Sequence, residues 1–288
     1  MAFLRSVGVT LEMIRWEHSV FALPFALTGA MLAAHGWPAL PKIFWIVVCM
    51  VAARSAAMAF NRWADADLDA DNPRTRARAI PAGLLSRRFA AGFTVAMSAI
   101  FLLGAAELNR LALLLAPLVL AVLLLYSFTK RFTRWSHLFL GLALGLAPSG
   151  AWIAIRGTLD PRILVLSAAV LFWVAGFDVL YACQDEAHDR DSGLLSVPAT
   201  LGTKTAFFLA RTMHLAMLAL LLWLVKLFHL GPVAIIGVAA VALLLLWEHL
   251  LVSPHDLSRL NAAFFTMNGV ISVIFFLFVA TDLLLRRP

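Results

Sequence analysis

Apolar stretches of about 20 residues recur along the whole chain, and each is long enough to cross the hydrocarbon core of a bilayer as a helix. A soluble domain cannot cover so many apolar stretches, because 62% of the 288 residues are hydrophobic and only 14% are charged. Within a bilayer every backbone polar group must be paired internally, which a helix achieves within one segment. The sequence therefore predicts an all-α, polytopic integral membrane protein.

The pattern of apolar stretches and loops predicts nine spanning helices in one domain that covers residues 1–288. Two of the loops, 63–87 and 184–204, are long and hold half of the 16 acidic residues. The other connections are short. The predicted spans are 17–36, 40–62, 88–107, 110–127, 136–156, 162–183, 205–226, 230–250 and 261–284.

The distribution of positive charge predicts the orientation of these spans. Most Lys and Arg residues lie in alternate loops, on the side of the N-terminus and of both long acidic loops. Basic loops stay in the cytoplasm, so the acidic loops are expected to face it. This topology explains the net charge of +7, and nucleic-acid binding is not expected. The two cysteines, Cys49 and Cys183, indicate neither a disulfide nor a zinc site.

The first acidic loop begins with a stripe of oxygen-bearing side chains. Steps of four residues place Asn61, Asp65 and Asp69 on one face of a helix. Carboxylate and amide oxygens suit Mg²⁺, a hard cation that keeps several waters and completes its shell with phosphate oxygens. The structural alternative is a solvated acidic loop that caps the helix. Repetition of the pattern favours the metal interpretation.

The second acidic loop repeats this geometry. Steps of seven and four align Asp178, Asp185 and Asp189, and Tyr181 lies close beside them. The clusters are offset by 120 residues, which predicts pseudo-symmetric halves whose carboxylates meet across one cavity. Two such motifs could clamp a diphosphate through Mg²⁺ from both sides.

Basic residues near the clusters are candidates for holding that diphosphate. Arg74 and Arg78 follow the first cluster, and Lys130 and Arg131 close the fourth predicted span. Such donors stabilise the charge that grows on a leaving group as its C–O bond breaks. Positive-inside topology alone is the alternative explanation for these four residues. Arg54 lies within the second span on the face of the first cluster, where a charge is a candidate for a functional site.

These motifs resemble those of the UbiA superfamily of intramembrane prenyltransferases, and the resemblance covers nearly the whole chain. Residues 17–25, 126–131, 141–148 and 177–185 are similar to the bacterial 4-hydroxybenzoate polyprenyltransferase-like branch. Part of that branch serves ubiquinone synthesis, and part serves the futalosine route to menaquinone. Where many 4-hydroxybenzoate enzymes have Arg-Pro, this chain has Arg78-Ala79.

The resemblance implies nine helices around a central cavity that the two acidic loops cap. It also implies that five residues bind Mg²⁺-diphosphate and that four basic residues assist them. The five are Asn61, Asp65, Asp69, Asp185 and Asp189, and the four basic residues are Arg74, Arg78, Lys130 and Arg131.

The predicted reaction is Mg²⁺-dependent transfer of a polyprenyl group from polyprenyl diphosphate to an aromatic acid. The predicted acceptor is 4-hydroxybenzoate, for ubiquinone synthesis, and the alternative is a futalosine-pathway naphthoate, for menaquinone synthesis. Asp178, Tyr181, Lys130 and Arg131 are the catalytic candidates, with Asp178 accepting the ring proton or orienting the acceptor. The expected location is the bacterial cytoplasmic (inner) membrane, among its lipids. A transporter is the alternative from another class, and it predicts charges near the bilayer midplane.

Overall fold

The computed structural model describes residues 2–14, 19–260 and 266–286, and within them the chain is built from helices. The predicted all-α architecture is confirmed. Helices α1 to α13 are, in chain order, Ala2–Ile14, Ser19–Ala34, Leu40–Ala64, Ala66–Asp71, Arg87–Leu108, Arg110–Thr129, Ser136–Arg156, Ile163–Ala182, Glu186–Asp191, Val197–Leu201, Thr203–Leu227, Pro232–Leu251 and Asn268–Leu285.

Eight of the described helices are long and apolar enough to cross a membrane, and they are α3, α5, α6, α7, α8, α11, α12 and α13. Helix α2 is the ninth element of the predicted set, but its apolar part, Phe21–Ala34, is shorter. The count of about nine spans is therefore confirmed. Residues 17–18 of the first predicted span and 261–265 of the last lie outside the described residues.

Helix α2 is short and lies inside the bundle. It ends at Ala34 because His35 and Gly36 both have positive φ angles, 51° and 142°. Phe25, near its middle, is fully buried, with its ring centroid 5.0 Å from that of Trp173 on α8 and 5.5 Å from that of Phe275 on α13. This helix fills the core between α8 and α13.

Helices α7 and α8 pack with their backbones in close approach. A Cβ atom added to Gly141 would lie 2.4 Å from the carbonyl oxygen of Leu171, and one added to Gly145 would lie 2.7 Å from that of Ser167. Small residues at a four-residue spacing permit this contact between membrane helices. Gly141 and Gly145 therefore lie at this contact between α7 and α8, which we call the seam.

The loops gather at two opposite ends of the bundle. At one end the second acidic loop meets the α6–α7 loop, where the backbone N–H of Leu195 donates to the carbonyl of Lys130 (2.7 Å). At the other end Asn109 donates to the carbonyl of Ile153 (2.7 Å). Successive long helices thus run in opposite directions, and both acidic loops lie at the same end.

Both acidic stripes contain a break in the helix. Asp65, between α3 and α4, has φ −97° and ψ 6°, and Asp185, just before α9, has φ −105° and ψ 7°. The backbone N–H of Asp65 still donates to the carbonyl of Asn61 (2.9 Å), and that of Asp69 to the carbonyl of Asp65 (2.7 Å). The four-residue spacing therefore survives the break. The two aspartates separated by 120 residues share one backbone conformation.

Candidate active site

A polar cavity of about 220 Å³ lies at the end of the bundle where the two acidic loops meet. Residues from α3, α4, α6, α7, α8 and α9 line it. Two candidates are outside its described lining: Arg131 contacts Asp65 at the rim, and Arg54 is half-buried on α3. The predicted site residues that line it are Asn61, Asp65, Asp69, Arg74, Arg78, Lys130, Asp178, Tyr181, Asp185 and Asp189.

Asp65 is buried and paired with two cations. Its Oδ2 accepts from Lys130 Nζ (2.7 Å) and from the amide nitrogen of Asn61 (3.0 Å), while Oδ1 lies 3.5 Å from Arg131. Arg131 also donates to the carbonyl of Ala64 (2.6 Å), at the negative end of the α3 dipole. Such partners offset the desolvation cost of a carboxylate that is only 2% exposed.

Asp69 has one oxygen paired and one without a partner. Its Oδ1 accepts from Arg78 Nη1 (2.6 Å), and the hydroxyl of Thr75 donates to its backbone carbonyl (3.1 Å). Its Oδ2 is buried and has no hydrogen-bond partner among the described residues. A buried carboxylate oxygen in this state is ready to accept a further ligand.

Arg74 connects the first acidic loop with the second. Its guanidinium donates to both oxygens of Asp185, from Nε (2.8 Å) and from Nη2, and to the hydroxyl of Tyr181 (3.2 Å). Asn72 donates to the same carboxylate (3.2 Å). Burial lowers the pKa of Arg74, but the hydrogen bonds with Asp185 outweigh it, and the pKa is raised above its ordinary value. Arg74 therefore stays charged.

Asp189 lies on α9 and reaches the cavity from the second loop. The side chain of Ser196 lies next to it, and its Oγ accepts from the backbone N–H of Ala199 (3.3 Å) and so begins α10. His188, its neighbour, also lines the cavity and contacts the Ser192 hydroxyl (3.3 Å). The second acidic loop thus presents Asp185 and Asp189 to one space.

The cavity fits a hard cation, although its carboxylates do not form a ready-made cluster. Among the described residues, no three of the types His, Cys, Asp and Glu come together as a metal site. Arg and Lys side chains instead separate the carboxylates. The available ligand atoms are nevertheless carboxylate and amide oxygens, which Mg²⁺ prefers, and the buried Oδ2 of Asp69 has no hydrogen-bond partner among the described residues. The assignment of Asp65, Asp69, Asp185 and Asp189 as metal ligands stays a prediction.

The sequence reasoning missed His137, which contacts Asp178 within the cavity. The Nδ1 atom of His137, on the first turn of α7, lies 2.7 Å from Oδ2 of Asp178 on α8. A titratable residue in an otherwise apolar span was the signal that could have identified it. The polar lining is completed by Asn72, Thr75, Tyr126, Ser127, Thr129 and Ser136.

The sequence model of the UbiA prenyltransferase family matches residues 22–270, which is most of the chain. The chain belongs to this family. The resemblance inferred from the Asp motifs is confirmed, and so is the prediction that this UbiA protein is a prenyltransferase enzyme.

Several UbiA proteins are similar to this chain. The 4-hydroxybenzoate octaprenyltransferase of Nitrosospira multiformis is 32% identical over 249 residues, which are 86% of each chain. The enzyme of the same name from Nitrosomonas europaea is 32% identical over 281 residues, covering 96% of this chain and 95% of that one.

Solved UbiA structures agree with the fold. The apo structure of a homologue from Aeropyrum pernix K1 has a TM-score of 0.84 and 37% identity, covering 92% of this chain and 98% of that chain. A homologue from Archaeoglobus fulgidus, bound to DMAPP and Mg²⁺, has a TM-score of 0.73, 19% identity, and coverage of 95% and 98%. The predicted UbiA-like arrangement of helices is confirmed.

Proposed function

We propose that this UbiA protein transfers a polyprenyl group from polyprenyl diphosphate to an aromatic acid, with 4-hydroxybenzoate as the first candidate acceptor. The observation that carries the proposal is the pairing of Arg74 with Asp185, which joins the two acidic loops over one polar cavity. The names of the two Nitrosospira and Nitrosomonas relatives support this acceptor. The Archaeoglobus homologue bound to DMAPP and Mg²⁺ supports a prenyl diphosphate donor and this metal.

The charges of the cavity suit a diphosphate. Lys130, Arg78 and Arg74 each hold one of the motif carboxylates, so the cavity contains cations and carboxylates in close alternation. When bound, Mg²⁺ would neutralise the diphosphate and make it a better leaving group. We expect Asp65, Asp69, Asp185 and Asp189 to hold it, while the basic side chains donate to phosphate oxygens, as does the amide of Asn61.

The acceptor side of the proposal involves Asp178 and Tyr181. Both line the cavity on α8, where Asp178 lies two turns and Tyr181 one turn before Asp185. A carboxylate there is suited to receive a proton from an aromatic ring or to orient the acceptor's hydroxyl group. Arg54, half-buried on α3 two turns before Asn61 and outside the described lining, stays a candidate for binding the diphosphate.

The proposed location is the bacterial cytoplasmic membrane, with the cavity facing the cytoplasm. Basic residues gather at this end of the bundle, in agreement with the positive-inside rule. A polyprenyl chain could then remain in the lipid phase while its diphosphate enters the polar cavity. The transporter alternative is disfavoured, because the paired charges lie at the ends of helices and not halfway along them.

An assay with two alternative acceptors, offered separately, tests the proposal. Purified protein in lipid nanodiscs would receive labelled octaprenyl diphosphate, Mg²⁺, and either 4-hydroxybenzoate or the futalosine-pathway naphthoate. We expect a prenylated 4-hydroxybenzoate that depends on Mg²⁺. Product from the naphthoate alone would replace the acceptor and retain the reaction. No Mg²⁺-dependent product from either acceptor would overturn the proposal.

A further inference from the structure

Three consecutive residues of the second acidic loop each contact a different part of the cavity. We call Leu195, Ser196 and Val197 the strap. The backbone N–H of Leu195 donates to the carbonyl of Lys130 (2.7 Å), and the side chain of Ser196 lies next to Asp189. The backbone N–H of Val197 donates to Nε2 of His137 (3.3 Å). The strap thereby ties the two sides of the cavity together.

The contact from Val197 assigns a role to each ring nitrogen of His137. Because a backbone N–H can only donate, the Nε2 atom is the acceptor in this contact. The Nδ1 atom then serves as the donor, and it lies 2.7 Å from the acceptor Oδ2 of Asp178. A backbone donor on one nitrogen thus selects the ring tautomer that serves the carboxylate on the other.

Both residues of the pair line the cavity, but Asp178 is the more exposed to it. The side chain of His137 is 4% exposed, whereas that of Asp178 is 25% exposed. Oδ2 of Asp178 is occupied by His137, and Oδ1 makes no hydrogen bond to the described residues. Since α7 and α8 are held together at Gly141 and Gly145, the distance between the paired side chains is set by the backbone. His137 thus holds Oδ2 of Asp178, and Oδ1 is available to accept a proton.

We propose that His137 is a positioning residue, seated by the strap, which orients Asp178 to receive the proton released by the aromatic acceptor. The inference rests on the proposed function. The acceptor carbon gives its electron pair to C1 of the prenyl group, and the C1–O pair leaves with the diphosphate. The ring proton then passes to Oδ1 of Asp178, which restores the aromatic ring, and is later lost to solvent. His137 keeps its own proton on Nδ1 throughout.

Steady-state kinetics of His137 variants test this role. His137→Leu removes the donor, and we expect kcat to fall by roughly 10- to 100-fold, a part of what a general base contributes. The KM for octaprenyl diphosphate should change by less than about 2-fold, because the diphosphate contacts stay intact. His137→Asn, whose amide nitrogen takes the place of Nδ1, should recover most of kcat. His255→Leu, at an exposed histidine, is the matched control.

A double-mutant comparison separates positioning from general damage. In the Asp178→Asn background, His137→Leu should cause no further loss of kcat, because the group it orients no longer accepts a proton. If His137→Leu does not fold, His137→Asn should still be faster than His137→Gln, whose donor is displaced by one methylene. A wild-type kcat in the Leu variant, an equal loss in the Asn variant, or a parallel rise in the diphosphate KM would overturn the inference. Absence of turnover by the wild type with both acceptors would instead overturn the proposed function and this role with it.

Discussion

Arg74 and Asp185, 111 residues apart, form a two-pronged ion pair that joins the two acidic loops. Neither loop alone could form the cavity, because each contributes carboxylates at one side only. The pair also positions the Tyr181 hydroxyl, which accepts from the same guanidinium (3.2 Å). Assembly of the proposed donor site therefore depends on an ion pair between two residues that are far apart in the sequence.

Replacing Arg74 with Lys should weaken substrate capture while preserving the charge. Lysine cannot donate in the forked geometry that grips both oxygens of Asp185, so the two loops lose their junction. We expect kcat/KM for the prenyl diphosphate to fall about 10-fold or more, equivalent to about 1.4 kcal/mol. Arg76→Lys is the control, since Arg76 is exposed and outside the cavity. Equal effects of both substitutions would contradict the role of Arg74.

The carboxylates of the two motifs should be indispensable. Asp65→Asn and Asp185→Asn each leave a cation without its partner and remove a proposed metal ligand. We expect turnover to fall by roughly 100-fold or more. Asp67→Asn should retain activity, because Asp67 is 86% exposed and pairs with Arg87 outside the cavity. Recovery of each variant in membranes and its thermal unfolding in nanodiscs would verify the fold, and full activity of both variants would disprove the assignment.

Metal binding can be measured without turnover. After treatment with EDTA, addition of Mg²⁺ with inorganic diphosphate should raise Tm, because a ligand at 100 times its Kd stabilises a protein by about 2.7 kcal/mol. Asp69→Asn should abolish the shift, since it replaces a buried carboxylate oxygen of the cavity that has no hydrogen-bond partner among the described residues. Asp67→Asn should respond as the wild type does. An undiminished shift in the Asp69 variant would exclude Asp69 as a ligand.

The seam between α7 and α8 should be sensitive to a single methyl group. Gly145→Ala places a Cβ atom 2.7 Å from the carbonyl oxygen of Ser167, so the helices must separate. We expect a loss of about 1–3 kcal/mol in stability, measured as a lower Tm. Gly150→Ala, on the same helix, meets nothing within 4 Å and should be tolerated. Equal Tm values for the two variants would show that the seam can relax.

The sequence predicted the helices and the acidic stripes because both depend on local spacing. Apolar length identified the spans, and steps of four aligned Asn61, Asp65 and Asp69. The end of α2 at Ala34 was not predicted, because it depends on the left-handed conformation of His35, which the apolar pattern does not encode.

The pairing of charges within the cavity could not be predicted. Lys130 was a candidate for binding diphosphate, but its contact with Asp65 spans 65 residues and depends on how α3 and α6 pack. His137 was missed for the same reason, since its partner Asp178 is 41 residues away on another helix. A single sequence reveals which side chains are chemically competent, whereas packing decides which of them meet.

The breaks at Asp65 and Asp185 have an electrostatic consequence. Each occurs where a long helix ends, so the negative poles of α3 and α8 point towards the same cavity as the carboxylates. Lys130 and Arg74 act there as built-in counter-ions of the resting protein. Asp65 and Asp185 would hold the proposed Mg²⁺, and Lys130 and Arg74, released from these carboxylates, would donate to the diphosphate oxygens. Under the proposed function, a highly charged headgroup would thus be neutralised at the membrane edge by side chains that are already charged in the resting protein.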